Sequence, residues 1–281
     1  MSFAGMVRGE SMNKLDASDQ SSPWHSQPLC RQYMALFLDA APVLVLGADG
    51  PEDQLVNWAL GCTASGEFEF LGACKQPGAG LGVPTLLCAS LENRGVERIR
   101  FAIGRQVGGA AGRFGLGLLG ATELPSIERS MRVVLAQVQA GDWAAVAGAL
   151  YAVFVSSRRK AVDAAMAAVE AGPLGEGYAP LVVQWRALAS RWAPVFALPV
   201  AQRRLVLAVD RLAADSHKGL FRAIARHGPF IDLAAAVRFV AVVLHRAGHR
   251  LDRERADFVA AGCEPRGVAL GRLAMASEPR G

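Results

Sequence analysis

Cysteine is sparse and carries no pattern. The five residues Cys30, Cys62, Cys74, Cys88 and Cys263 are odd in number, scattered, and form no CxxC pair or Cys/His ligand spacing. That excludes a disulfide framework or a zinc site as the organising feature, and reads as small buried hydrophobes in a reducing compartment. Long apolar runs are lacking as well. The longest uncharged one, Trp143 to Ser157, is too short to span a bilayer and is flanked by Asp142 and Arg158. The opening MSFAGMVRGESMNKLDASDQSS has no apolar core and is not a signal peptide. The expectation is a soluble, cytoplasmic protein with no membrane partner. A phosphate loop is excluded too: Gly78-Ala79-Gly80-Leu81-Gly82 has neither GxGxxG spacing nor a following Gly-Lys-Ser/Thr. Lysine is scarce, so arginine carries most of the positive charge.

What is present is enough apolar material, 52% of 281 residues, to bury a large core, with 20% charged residues. The net charge of +5 is uneven. Residues 201–281 hold 14 Lys+Arg against 8 Asp+Glu, so the positive charge sits in the C-terminal third. That fits a polyanion partner or a solvated surface.

In chain order, residues 1–23 are polar and irregular, a disordered leader. Trp24 to Ala40 reads WHSQPLCRQYMALFLDA, an apolar run ending on Asp39. An acid at the end of a buried strand either caps a turn or is delivered to a reacting group. A break is expected at Ala41-Pro42, a turn at Gly50-Pro51, and strands over Val56 to Cys62 and Phe68 to Cys74. Val83 to Glu92 has helical spacing and stops at Gly95; Val96 to Ile103 alternates as a strand. The order is β-β-β-α-β, an α/β core. Pro125 to Arg204 is Ala-rich and helical: Ser126 to Gln139, Trp143 to Phe154, Arg158 to Ala171, Tyr178 to Trp192. A helix follows from Gln202 toward Arg226, and another over Leu233 to Ala247 with Asp232 as its N-cap. His245 and His249 stand four apart on it, a metal pair lacking a third ligand or two surface histidines. Trp185 and Trp192 read as packing rather than base-stacking platforms. The resulting division is 1–23 leader, 24–124 first part of the core, 125–204 helical insertion, 205–248 closing helices, and 249–281 a basic, partly disordered tail.

Several short strings resemble one family in order and spacing. Trp24, Pro28-Leu29, Tyr33 and Leu38-Asp39 resemble W-x-x-R-P-L-x-x-x-Y followed by L-D-A. Leu91-Glu92-Asn93-Arg94-Gly95-Val96 resembles L-K-N-R-G-V; Trp185, Trp192, Phe196 and Pro199 resemble W…W…F-x-x-P. Phe221-Arg222, Gly228, Phe230 and Ala235-Ala236 resemble its ending. Together they resemble the catalytic part of Mutator-type bacterial insertion-sequence transposases, over roughly Trp24 to His245. The resemblance implies a ribonuclease H-like fold and DDE chemistry. In that chemistry three carboxylates hold two Mg²⁺ ions that activate a nucleophile and stabilise the leaving oxygen of a DNA phosphodiester.

By this resemblance Asp39 is the first acid. Counted without gaps from Asn93, the family's second acid falls on Arg105. A cation there repels a metal: at about 4 Å and an effective dielectric near 20, each unit-charge pair is worth roughly 4 kcal/mol. The third acid falls on Ala213 when counted forward from Pro199, and on Asp215 when counted back from Arg222. Asp215 is preferred because Ser216 and Phe221-Arg222 then match as well. The site expected by resemblance is thus Asp39 and Asp215, with Arg105 in the second place and paired with Asp39. Glu123 or Glu128 is the nearest substitute acid. Arg203, Arg204, Lys218, Arg222 and Arg226 are the phosphate-contact candidates, or else a solvated basic face. The expectation is a truncated, degenerate transposase whose partners are DNA and a second copy or an intact transposase. The alternative is a non-catalytic DNA-binding or transposase-partner protein on the same scaffold.

Overall fold

The computed structural model describes residues 27–75, 89–104, 119–155 and 159–260. Five strands form one sheet: β1 Gln32–Gly47, β2 Gly50–Cys62, β3 Phe68–Lys75, β4 Arg98–Gly104 and β5 Thr122–Pro125, in the order β3-β2-β1-β4-β5. β1, β2 and β3 are antiparallel neighbours; β4 and β5 run parallel to β1. β5 has no counterpart in the sequence reading, since four residues are too few to show a period. Its pairing with β4, Phe101 opposite Thr122 through Gly104 opposite Pro125, supplies the strand instead.

The expected break at Ala41-Pro42 is absent. β1 runs unbroken for 16 residues: the described part of β4 ends at Gly104, opposite Leu38, and Pro42 keeps its place in the ladder to β2, opposite Leu55. The turn also sits earlier than expected. Ala48 and Asp49 form it, Gly50 takes φ +125°, and Pro51 already lies within β2 opposite Leu46.

Residues 89–93 are helical (α1) and end at Gly95, whose φ of +96° suits a residue without Cβ. Arg94, in the string that resembles L-K-N-R-G-V, has a specific structural task. The β2–β3 ladder slips between Ala59 and Leu60, where Gly72 and Phe70 are the successive partners, so Leu71 is an extra, bulged residue. The Arg94 guanidinium takes the Leu71 carbonyl through Nη1 and the Gln27 carbonyl through Nε at 3.0 Å.

Helices cover one face of the sheet. α2 Ile127–Leu135 is followed by the 3-10 turn Ala140–Asp142, then α3 Trp143–Val155, α4 Arg159–Ala171, the short α5 Pro173–Gly177, α6 Ala179–Arg191 and the short α7 Ala193–Phe196. α8 Val200–His227 and α9 Leu233–Ala260 are each 28 residues long. α8 lies on β1 and β2, and α9 on β3. α9 continues well past the expected end at Ala247, so residues 249–260, assigned to the tail, are helical. Asp232 does cap α9, accepting from the Ala235 N–H at 2.6 Å. The leader and residues 261–281 fall outside the described residues.

The helical insertion packs on an aromatic hub. Phe154 meets Trp185 and Trp192 edge-on at 5.4 and 5.9 Å, and Phe196 at 5.8 Å. Both tryptophans are fully buried with satisfied indole N–H groups, Trp185 on the Leu150 carbonyl and Trp192 on the Pro125 carbonyl. They are core residues, and Trp192 ties the insertion to the end of β5.

Candidate functional site

Asp39 stands in the middle of β1, level with the end of β4. Its cross-strand partner is Trp58, so both side chains emerge on the face covered by α8. Its carboxylate is 8% exposed and surrounded by donors. The Ala40 N–H reaches Oδ1 at 2.8 Å, Arg129 Nη1 of α2 lies 3.7 Å from Oδ1, and His217 Nδ1 of α8 lies 3.0 Å from Oδ2. The His217 contact is close but out of line for a hydrogen bond. The imidazole is wedged between Trp58 at 6.3 Å and Phe221 at 4.5 Å. Arg105 follows Gly104 directly, yet lies outside the described residues; so does its expected pairing with Asp39.

The two countings for the third acid land on opposite sides of α8. Ala213 is fully buried, on the same side as His217 one turn on. Asp215 faces out, its side chain 57% exposed and paired with Lys218 at 3.2 Å. The charge of Asp215 is felt at Glu128 of α2. Burial raises the Glu128 carboxyl, the Asp215 charge raises it further, and Arg211, Lys218 and Arg132 oppose both. Glu123, the other substitute acid, is in β5 opposite Ala102.

Asp210 was missed by sequence reasoning. It is 2% exposed on the inner face of α8, and its Oδ2 accepts from the backbone N–H groups of Ile127 at 2.8 Å and Glu128 at 3.1 Å. Burial pushes its carboxyl up to about 7, against the pull of the Ser126 hydroxyl and those two N–H groups. The available signal was a lone acid on the side of α8 that otherwise reads Val206, Val209, Ala213, Ala214.

Arg204, Arg222 and Arg226 are exposed, and Lys218 is partly so. Arg203 turns inward instead: it is 5% exposed and donates to the Leu198 carbonyl at 3.3 Å. Arg211, absent from the expected set, joins the exposed ones. At 100° per residue, positions 204, 211, 218, 222 and 226 fall in one stripe about 33 Å long, and Asp215 lies within it.

Among the described residues the donor set does not fit a two-metal site. Asp39 faces an arginine at 3.7 Å and a histidine at 3.0 Å, Asp215 is paired with a lysine on the outer side of α8, and the buried Nε1 of Trp58, the cross-strand partner of Asp39, is a donor, not a ligand. Among the described residues no three His, Cys, Asp or Glu side chains come together to hold a metal; the side chain of His249, half of the expected His245/His249 pair, lies outside them. No described helix is long and apolar enough to cross a membrane.

Residues 13–251 match the family model described as Transposase, Mutator family. A probable transposase for an insertion sequence element from Corynebacterium diphtheriae is 25% identical over 215 residues, 76% of this chain and 62% of that protein. The chain therefore spans less than two thirds of the length of that curated relative.

Proposed function

The chain belongs to the Mutator family of transposases, and on that premise we propose a role in DNA transposition, on a ribonuclease H-like scaffold whose DDE strand-cleavage chemistry is impaired. The observation that carries the reading is the position of Asp39. It sits on the central strand of a sheet with three antiparallel and two parallel members, at the level where β4 ends and under the long helix α8. That arrangement supports a ribonuclease H-like core with a first acid at Asp39, and the order of elements expected from the sequence agrees with it.

Impairment rests on charge. The second acid place holds Arg105, and Asp39 already has two basic partners. DNA contact is assigned to Arg204, Arg211, Lys218, Arg222 and Arg226, whose stripe offers positive charge to a phosphate backbone and reads no base. The second reading, a non-catalytic DNA-binding protein or a partner of an intact transposase in the cytoplasm, keeps the stripe and drops the cleavage.

The deciding experiment is strand cleavage of insertion-sequence ends with Mg²⁺ or Mn²⁺, comparing wild type with Arg105→Asp. Absent cleavage in wild type with recovery in the variant supports an impaired DDE site. Wild-type cleavage abolished by Asp39→Asn shows an active enzyme and overturns the impairment. Tight, salt-sensitive DNA binding without cleavage in either protein selects the second reading.

A further inference from the structure

We infer that Arg129 and His217 are built-in partners of Asp39, occupying the place beside its carboxylate that a divalent ion would take and making this site a metal-independent tie between β1, α2 and α8. The inference rests on Asp39 being the first acid by family, and concerns what that acid now does.

A carboxylate grouped with other acids is destabilising until a cation arrives, because like charges repel and burial removes hydration. A carboxylate left free of internal cations is best placed to take a metal ion. Asp39 is in the opposite state. Its side chain is only 8% exposed, and each oxygen faces a basic group on a different helix, Arg129 Nη1 at 3.7 Å and His217 Nδ1 at 3.0 Å. His217 is 17% exposed and held between Trp58 and Phe221, so the ring is packed in place rather than hanging over the acid. Arg129 is fixed through its backbone, since α2 begins at Ser126, whose hydroxyl accepts from the Arg129 N–H at 3.1 Å. Asp210 of α8 binds the two preceding N–H groups. The helices that carry the two basic groups are thus joined to each other as well as to Asp39. Trp58, the cross-strand partner of Asp39, carries a buried Nε1 that is also a donor without a partner among the described residues. The described surroundings are complementary to a carboxylate and unsuited to a cation.

The test is thermal unfolding of the full chain, in EDTA and in millimolar Mg²⁺ or Mn²⁺ at matched ionic strength. Wild type is expected to show the same Tm in all three, and Asp39→Asn to lower it by about 3–6 °C. Arg129→Gln, at a side chain 41% exposed, removes one counter-ion without a packing defect. In that background, with His217→Gln added, Asp39→Asn costs much less than in wild type, and Mn²⁺ begins to raise Tm. A divalent-dependent rise in wild type, or an Asp39→Asn variant as stable as wild type or more so, overturns the inference. So does an Asp39→Asn cost that is unchanged in the Arg129→Gln/His217→Gln background. DNA affinity along the α8 stripe is read separately by salt titration, so loss of the transposition reading and loss of this one are told apart.

Discussion

Asp210 accepts the Ile127 backbone N–H at 2.8 Å across the junction of α8 and α2. One carboxylate buried in α8 thereby serves as an N-terminal cap for a helix more than eighty residues earlier in the chain. The Ser126 hydroxyl and Asp210 together take the N–H groups of Ile127, Glu128 and Arg129, which no residue within α2 can satisfy.

The first consequence is a pH-dependent stability. The Asp210 carboxyl titrates at about 7 when folded, well above an ordinary aspartate near 4. The folded state therefore binds a proton that the unfolded state releases between these values. Its contribution is complete below about pH 4 and is lost as pH rises through about 7, at a slope approaching 1.4 kcal/mol per pH unit. Urea unfolding between pH 5 and 8 should show this decline, and Asp210→Asn should flatten it. Asp210→Ala should cost about 1–2 kcal/mol at pH 5 through the lost cap.

Arg94 gives a second prediction. Replacing it with methionine keeps the bulk but leaves the Leu71 and Gln27 carbonyls without their donor, a loss of roughly 2–4 kcal/mol in chemical denaturation. Gly72→Ala is expected to be costly for a separate reason. Its φ of +148° is strained for any other residue, and the added Cβ would stand 3.6 Å from the Arg94 Nη1.

DNA binding separates two neighbouring arginines. Arg222→Ala and Arg226→Ala should each weaken binding and reduce the slope of log K against log salt by about 0.9. Arg203→Ala, at a buried position, should lower Tm and leave that slope unchanged. Fluorescence anisotropy across a salt series, alongside a melting curve, checks both.

In the insertion, Phe154→Ala opens a hole at the ring cluster of Trp185, Trp192 and Phe196 and should cost about 3–5 kcal/mol. Tryptophan emission should shift to the red as the two indoles gain water.

Helix positions in the insertion and in α8 were legible, because apolar residues recur every three or four positions and Pro, Gly and Asp232 mark the ends. β4 and the stop at Gly95 were legible for similar reasons. Features made by pairing between distant segments were not. β5 exists through β4, β1 passes Pro42 on its ladder to β2, and the Leu71 bulge has no periodic signature. The Asp39 surroundings were half legible. The acid stood out at the end of an apolar run, but Arg129 and His217 come from two other helices. Periodicity could show only that His217 shares a side of α8 with Ala213.

Phe230, between α8 and α9, connects back to the first hairpin. Its N–H donates to the Leu44 carbonyl and its carbonyl accepts from Leu46 N–H, both at 2.8 Å, forming a parallel bridge to Val45. Ribosomal synthesis delivers the hairpin long before Phe230, so Leu44 and Leu46, still half exposed in the finished molecule, wait with open backbone groups while α2 to α8 emerge. The latch closes only after α8 has emerged, and a nascent chain stalled short of Phe230 would present that hairpin end to any other strand it met.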